Sequence, residues 1–354
     1  MEKKPYISFC ISSYNRKEMV EELVLHILEI QSEEIEVVVM DDHSSDGTVE
    51  MLNDIEDERL HVYCEESQVG GALCWYDALE KGSGEWLYQI IDRDWVNIDY
   101  AEKLIDTLRE LEKLNVGFAV GGERISGEKD CQIYKEGLET IYEFGLRHSH
   151  PTGQIFHKKD WDNIENKREF FADEKYGIYP HGYIYAIMGN SLKGAYLLFD
   201  ICDMAHYNQR LIRTVSKVYV SRKDKVEWFW PESRFNLLKL ACENIDLVKN
   251  REWHTAIILA RYGKFFFCVT RDWHAACHNE ILKMRYHCPD LTTNYISLLA
   301  NGFDYIALFK EYLENMNFWW ADNYFYEKLC SIDKQLIEWL LKWSNELRIK
   351  ESLL

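Results

Sequence analysis

The stretch from residue 35 to residue 48 reads IEVVVMDDHSSDGT and decides the fold of the first part of the chain. Its first half, Ile35–Met40, is apolar apart from Glu36 and rich in valine, which is typical of a strand buried in a parallel sheet. Its second half, Asp41–Thr48, consists mostly of Asp, Ser and Gly, which are common turn residues. The pattern predicts a buried strand that ends in a polar loop.

Segments of the same kind lie on both sides of this stretch. Tyr6–Ile11 predicts a strand that ends at the polar Ser12–Arg16, and Glu18–Ile30 shows one apolar stripe at helical spacing. Further strands are predicted at Leu60–Cys64, Glu85–Ile91 and Val116–Gly122, and further helices at Val49–Ile55, Gly70–Lys81 and Tyr100–Leu114. Strands that alternate with helices predict a mainly parallel sheet with helices on both faces.

Three polar clusters follow predicted strands directly: Ser12–Arg16, Asp41–Thr48 and Asp92–Asp94. The carboxyl ends of parallel strands share one edge of a sheet, and ligands bind at that edge. Ordinary turns have the same composition, but three clusters in phase favour a nucleotide-type site. The pair Asp92 and Asp94 also offers the hard oxygen ligands that suit Mg²⁺ or Mn²⁺ held together with a substrate diphosphate.

The order and spacing of these motifs resemble the family-2 glycosyltransferases of the GT-A fold. The matching segments are Ile7–Arg16, Val37–Thr48, Gln68–Ala72 and Gly84–Leu87, which leads to Asp92–Asp94. The resemblance is close over residues 5–100 and weaker to about residue 220. It implies an α/β fold with a GT-A-like, mostly parallel sheet flanked by helices. It also implies a glycosyltransferase that uses a nucleotide-sugar donor and a divalent cation, Mg²⁺ or Mn²⁺.

The resemblance also assigns roles to individual residues. Asp42 would accept a hydrogen bond from the base, Asp41 would support its loop, and Asp92 and Asp94 would hold the cation. The residues expected to bind the nucleotide are Ser12, Tyr14, Arg16, Asp41, Asp42, Gln68, Gly70 and Asp92, and those expected to contact the sugar or the acceptor are Thr152, Gly153 and Gln154. Arg93, between the two carboxylates, would either weaken metal binding or contact a phosphate.

The general base is the part of the family pattern from which this sequence departs. The family usually has an acidic pair at the start of a helix, whereas the corresponding stretch here, Tyr179–Tyr185, contains none. An imidazole with a near-neutral pKa is a competent base, which makes His181 one candidate. Asp173 and Glu174, a little upstream, are the others. A histidine that merely begins a helix would look the same.

Composition and periodicity set the remaining expectations. The net charge of −19 over 354 residues argues against nucleic acid as a partner. Helical periodicity at Trp253–Phe267, Asn294–Ala300, Asp304–Leu313 and Ile332–Ile349 predicts a helical C-terminal domain at 226–354 after a glycosyltransferase domain at 1–225. This helical region is a candidate surface for homo-oligomer formation.

The location of the protein is predicted from its cysteines and its apolar segments. The 10 cysteines form no CxxC pair, and no apolar signal or spanning segment is evident. A cytoplasmic location is therefore predicted, with peripheral attachment at the inner face of the membrane as the open alternative.

The sequence therefore predicts an inverting, metal-dependent transfer of a sugar to a hydroxyl of a glycan or lipid-linked acceptor, in surface-polysaccharide synthesis by family analogy. A nucleotidyltransferase is disfavoured, because the loop Ser12–Arg16 lacks the glycine that such enzymes usually carry there. A non-catalytic partner that binds nucleotide sugar in a glycan-assembly complex stays open, because the acidic pair is missing.

Overall fold

The computed structural model describes residues 4–121, 129–147, 151–172, 180–202, 238, 251–272, 274, 295–315 and 323–352. The chain divides into two compact units, Met1–Val218 and Tyr219–Leu354. The predicted domain boundary at 225/226 lies outside the described residues.

The first unit is built on one mixed sheet of eight strands. The strands are β1 Ile7–Ser13, β2 Ile35–Asp41, β3 Leu60–Cys64, β4 Trp86–Ile91, β5 Val116–Val120, β6 Cys131–Tyr134, β7 Gln154–His157 and β8 Lys193–Leu197. Their order across the sheet is β3-β2-β1-β4-β7-β5-β8-β6. All run in one direction except β7 and β6, which are reversed. The predicted mostly parallel sheet is confirmed.

Helices connect these strands and cover the sheet. They are α1 Lys17–Leu28, α2 Thr48–Asn53, α3 Gly71–Lys81, α4 Ala101–Lys113, α5 Leu138–Arg147, α6 Lys158–Asp162, α7 Lys167–Ala172 and α8 His181–Gly189, with a 3₁₀ turn at Ile98–Tyr100. The predicted stripe of α1 is buried, including Val20, Leu23 and Ile27 with no exposed surface. Burial of that stripe against the sheet fixes the crossover from β1 to β2.

Two strands, β6 and β8, have no counterpart in the prediction. Most side chains of β6 are half-buried, so the strand lacks the continuous apolar run that marks β1, β2 and β4. The sequence of β8 is KGAYL, with a charge and a glycine and no β-branched residue. β8 pairs with the free edge of β5, and β6 pairs with β8. This pairing is a tertiary effect that local sequence does not predict.

A buried carboxylate ties the strands together at the edge opposite the polar loops. Glu36 accepts hydrogen bonds from Ser8 Oγ at 2.5 Å and from the backbone N–H of Ser83 at 2.6 Å. Ser8 Oγ in turn accepts the N–H of Gly84 at 2.8 Å. These four residues link β1, β2 and the turn before β4, which explains a charged residue inside an otherwise apolar strand.

Replacing Glu36 with Ala is expected to lower the free energy of unfolding by about 2–3 kcal/mol, because buried donors lose their acceptor. Glu36→Gln, which keeps one carbonyl oxygen, should lose less than half as much. Urea denaturation of the full chain measures both. Equal losses in the two variants would contradict this expectation, because they would show that one carbonyl oxygen cannot replace the carboxylate as the acceptor.

The second unit is helical where it is described. It contains α9 Arg251–Phe267, which continues as a π-helical turn at Cys268–Asp272, α10 Tyr295–Asn315 and α11 Asn323–Glu351. Aromatic side chains, among them Tyr262, Phe266, Tyr305 and Phe309, form its buried cluster. Among the helices that the structure describes, none has the length and apolar character to cross a membrane.

The two segments predicted as helical at Asn294–Ala300 and Asp304–Leu313 belong to a single helix, α10. Gly302 lies inside it because a Cβ atom there would come within 2.5 Å of Leu340 Cδ2. Gly302 thus allows α11 to approach α10 closely.

Candidate functional site

Asp92 directly follows β4, and its side chain has no exposed surface. Arg16 Nη1 lies 2.6 Å from its Oδ1, and Ser13 Oγ donates to its Oδ2 at 2.9 Å. β1 and β4 are adjacent parallel strands, so residues that end both strands meet without any long loop. A charge-assisted pair with Arg16 offsets the cost of burying this carboxylate.

Asp41, the last residue of β2, shapes the polar loop that follows it. Its Oδ1 accepts the backbone N–H of Ser44 at 2.7 Å and its Oδ2 accepts Ser44 Oγ at 2.6 Å. Ser44 Oγ also accepts the N–H of Asn15 at 2.8 Å, and Asn15 has a positive φ of 49°. The loops after β1 and β2 are therefore joined, with Asp41 at the base of the second.

Asp42 fastens the loop before α3 to the end of β2. Its Oδ1 accepts the N–H of Val69 at 2.6 Å, and its Oδ2 accepts the N–H of Gly70 at 3.1 Å. These backbone donors fix the orientation of the Asp42 carboxylate. Gln68, just before this contact, is exposed.

The backbone oxygen of Ser12 accepts the N–H of Asp92 at 3.3 Å. Tyr14, two residues further on, is 36% exposed. The structure thus gathers the predicted nucleotide residues around the ends of β1, β2 and β4.

Asp94 is held from the opposite side of β4. The Oγ1 of Thr152 accepts the N–H of Ile91 at 2.9 Å and donates its own proton to Asp94 Oδ2. Both Asp94 and Thr152 are buried. Thr152, predicted to contact a sugar or an acceptor, here bridges the end of β4 and the second carboxylate of the motif.

Gly153 and Gln154, the other two predicted sugar contacts, pack inside the sheet. Gly153 has a φ of +92°, and a Cβ atom there would lie 2.0 Å from the backbone oxygen of Gly121. Its N–H donates to Gln89 O at 3.1 Å and its oxygen accepts the N–H of Gly121 at 2.8 Å. Gln154 Oε1 accepts the hydroxyl of Tyr185 at 2.6 Å.

His181 is the first residue of α8 and has no exposed surface. Its Nε2 lies 3.1 Å from Oε1 of Gln89, on β4. The rings of Trp75 and Phe171 lie 5.9 Å and 5.7 Å from the imidazole. The other two base candidates, Asp173 and Glu174, lie outside the described residues.

This edge of the sheet is strongly acidic. Besides the four aspartates, Glu65 and Asp77 lie at the end of β3 and on α3, and burial raises the pKa of both carboxyls, with the charge of Asp77 adding to the effect on Glu65. A diphosphate approaching these carboxylates needs positive charge to offset the repulsion. Arg16 supplies some, and a divalent cation would supply more.

Within the described ranges, no three His, Cys, Asp or Glu side chains come together as a metal cage. Mg²⁺ sites that are completed by substrate phosphates use only one or two protein carboxylates. The pair Asp92 and Asp94 fits a site that substrate phosphates complete.

Two residues of the cluster have no role of their own among the predictions from sequence. Ser13 contacts Asp92, and Gln89 contacts His181. Ser13 could have been assigned a role, because it lies in the polar cluster Ser12–Arg16 at the end of a predicted strand. Gln89 reads as an ordinary polar residue within a buried strand, and no local pattern marks its partner.

Comparison with known proteins finds similarity over the part of the chain that carries this cluster. Residues 8–159 match the sequence model of Glycosyl transferase family 2. TuaG of Bacillus subtilis, named as a glycosyltransferase of teichuronic acid biosynthesis, is 32% identical over 109 residues, which are 30% of this chain and 43% of that protein. A GalNAc(5)-diNAcBac-PP-undecaprenol beta-1,3-glucosyltransferase of Campylobacter jejuni is 26% identical over 183 residues, 49% of this chain and 57% of that protein. The matches thus span about half the length of these relatives.

Two solved structures have a chain course that partly resembles this one. TarS 1–349 of S. aureus has a TM-score of 0.43 at 16% identity, covering 85% of this chain and 91% of that one. The mannosyltransferase PcManGT of Pyrobaculum calidifontis, in complex with GDP-Man and Mn²⁺, has a TM-score of 0.48 at 14% identity, covering 95% and 86%. The predicted resemblance to family-2 glycosyltransferases is confirmed by the family match, over residues 8–159.

Proposed function

We propose that the protein is an inverting, metal-dependent glycosyltransferase that moves a sugar from a nucleotide-sugar donor to a hydroxyl of a glycan or lipid-linked acceptor. The observation that carries the proposal is the meeting of Ser13, Arg16, Asp42, Asp92 and Asp94 at one edge of the sheet. The match of residues 8–159 to Glycosyl transferase family 2 supports it.

The donor would lie across the ends of β1, β2 and β4. Asp42 is oriented by two backbone N–H groups, which suits a carboxylate that accepts a hydrogen bond from the base. Arg16 is 26% exposed and uses Nη1 to contact Asp92. A guanidinium group has five N–H donors, so Arg16 can also contact a phosphate.

Asp92 and Asp94 are the residues that would hold the cation, Mg²⁺ or Mn²⁺. Arg16 and Ser13 contact both oxygens of Asp92, so we assign the main ligand role to Asp94. When bound, the cation supplies positive charge that stabilises the departing nucleoside diphosphate.

The proposed reaction is one in-line displacement. The acceptor oxygen forms a bond to the anomeric carbon while the bond from that carbon to the diphosphate oxygen breaks. The bonding electrons leave with the diphosphate, and the acceptor proton passes to a general base. A single displacement inverts the configuration at the anomeric carbon.

For the general base, we favour Asp173 or Glu174 over His181. A base has to reach the acceptor hydroxyl within hydrogen-bond distance, whereas His181 is fully buried and lies against Gln89. Asp173→Asn or Glu174→Gln is expected to lower kcat about 100-fold or more, with donor affinity unchanged. His181→Gln should change kcat less than about tenfold per folded molecule.

Steady-state rates and donor titrations of the three variants, with folded fractions from circular dichroism, separate these roles. The assignment is reversed if only His181→Gln abolishes turnover while it binds donor normally.

The acceptor class is inferred from the relatives. Their names place them in teichuronic acid biosynthesis and on an undecaprenol-linked glycan, which supports surface-polysaccharide synthesis here. We propose that the protein works in the cytoplasm, with peripheral attachment at the inner face of the membrane where a lipid-linked acceptor would lie. Assembly into homo-oligomers through the helical second unit is part of the same proposal.

Calorimetric titration with UDP-, GDP-, CDP- and dTDP-sugars in the presence of Mn²⁺ tests the donor site. Transfer and hydrolysis assays with the sugar that binds then test catalysis. If the protein binds none of the four classes of nucleotide sugar, the proposed function is wrong.

The second candidate function is a non-catalytic nucleotide-sugar-binding partner in a glycan-assembly complex. The buried His181 at the position of the family's acidic pair favours it. Donor binding with neither transfer nor hydrolysis, over a panel of lipid-linked acceptors, would support this alternative.

A further inference from the structure

We propose that Thr152 is a positioning residue for the cation site, which holds the carboxylate of Asp94 in its ligating orientation. The inference rests on the proposed function and deepens it. It replaces the expectation from the sequence that Thr152 contacts a sugar or an acceptor.

The two hydrogen bonds of Thr152 have a direction that follows from their donors. The N–H of Ile91 can only donate, so Thr152 Oγ1 accepts it at 2.9 Å and the hydroxyl proton is turned toward Asp94 Oδ2. Thr152 is 7% exposed and Asp94 is 4% exposed, so water competes little for either contact. The hydroxyl therefore fixes the rotation of the carboxylate.

The position of Thr152 is itself fixed by the backbone. Gly153 donates its N–H to Gln89 O and accepts the N–H of Gly121. These bonds attach residue 153 to β4 and to the residue after β5, so the neighbouring Thr152 cannot drift away from Asp94. The ligand is thus held by a second chain segment that is 58 residues away in sequence, an arrangement that commonly tunes metal affinity.

The test uses Mn²⁺ with UDP, GDP, CDP or dTDP, whichever the wild-type chain binds, and reads free Mn²⁺ by electron paramagnetic resonance. Thr152→Val keeps the shape of the side chain and removes the hydroxyl, and it should raise the Kd for Mn²⁺ about 10- to 100-fold. Thr152→Ser keeps the hydroxyl and should stay within about threefold of wild type. Nucleotide binding in EDTA should be equal in all three proteins, which controls for a damaged fold.

A second readout separates positioning from a purely structural role. Excess Mn²⁺ should restore the turnover of Thr152→Val toward the wild-type kcat, since the defect is in affinity. The inference is overturned if Thr152→Val binds Mn²⁺ like wild type, if Thr152→Ser is as weak as Thr152→Val, or if excess Mn²⁺ restores nothing. A wild-type chain that binds none of the four nucleotides with Mn²⁺ overturns the proposed function and this inference with it.

Discussion

Asp94→Asn should abolish cation-dependent donor binding and lower kcat/KM by at least about 100-fold, roughly 2.7 kcal/mol of transition-state stabilisation. The amide keeps the shape of the side chain and removes the negative charge that would attract the cation. Its oxygen can still accept the Thr152 hydroxyl, so the fold should be little affected. Calorimetry with the donor, with and without Mn²⁺, measures the effect.

Asp92→Asn should also lose donor binding, but for a different reason. The substitution leaves Arg16 without its buried anionic partner and places an amide N–H₂ against Arg16 or Ser13. A loss of about 2 kcal/mol in the free energy of unfolding is expected, less than for a fully buried pair because Arg16 is partly exposed. The two variants should therefore differ: Asp94→Asn loses binding only, and Asp92→Asn loses binding and stability.

Asp99→Asn is the matched control for both. Asp99 is an exposed carboxylate a few residues downstream, in the 3₁₀ turn, and its replacement should change neither binding nor stability. Unchanged Mn²⁺-dependent donor binding in both Asp92→Asn and Asp94→Asn would defeat the assignment of this site.

Gly153→Ala is expected to cost at least about 4 kcal/mol in the free energy of unfolding, the largest stability effect among the substitutions considered. The φ of +92° strains any L-residue, and the new Cβ would lie 2.0 Å from the backbone oxygen of Gly121. A backbone oxygen cannot rotate away as a side chain can. Relief therefore requires the segment before β7 to separate from β5.

Gly70→Ala is its control, because Gly70 has a nearly identical φ of +93° and nothing within 4 Å of the added Cβ atom. Strain alone should cost about 1–3 kcal/mol there. Urea denaturation of both full-length variants gives the difference. A Gly153→Ala protein no less stable than Gly70→Ala would mean that the contact with Gly121 is relieved at little cost.

The first half of the sheet could be predicted because its strands carry their own signal. β1, β2 and β4 are buried at every position, so each appears in the sequence as a continuous run, and α1 and α4 appear as apolar stripes. The reversed strand β7 contains the apolar pair Ile155 and Phe156, but its direction is set by pairing with β4 and β5. The strand β6 and the place of Gly302 inside α10 could not be predicted from local sequence, because packing against neighbouring elements determines both.

The site divides in the same way. The meeting of the loops after β1, β2 and β4 follows from parallel pairing, so the cluster of Ser13, Asp42 and Asp92 could be anticipated from sequence order. The partners of Thr152 and His181 could not. Each contacts a residue on β4 or just beyond it, 58 and 92 positions away, and neither spacing leaves a local pattern.

The register of the antiparallel pair β7 and β4 determines the geometry of the candidate site. Gln154 lies opposite Gln89 and His157 opposite Trp86, and this alignment sets Thr152 beside Asp94. A slip of one residue would turn Thr152 to the other face of the sheet and would at once part Gln154 from Tyr185. Insertions and deletions should therefore be tolerated in the loops on either side of β7 and selected against within the strand. A change in the length of β7 would move Thr152 relative to Asp94, which lies in another part of the chain.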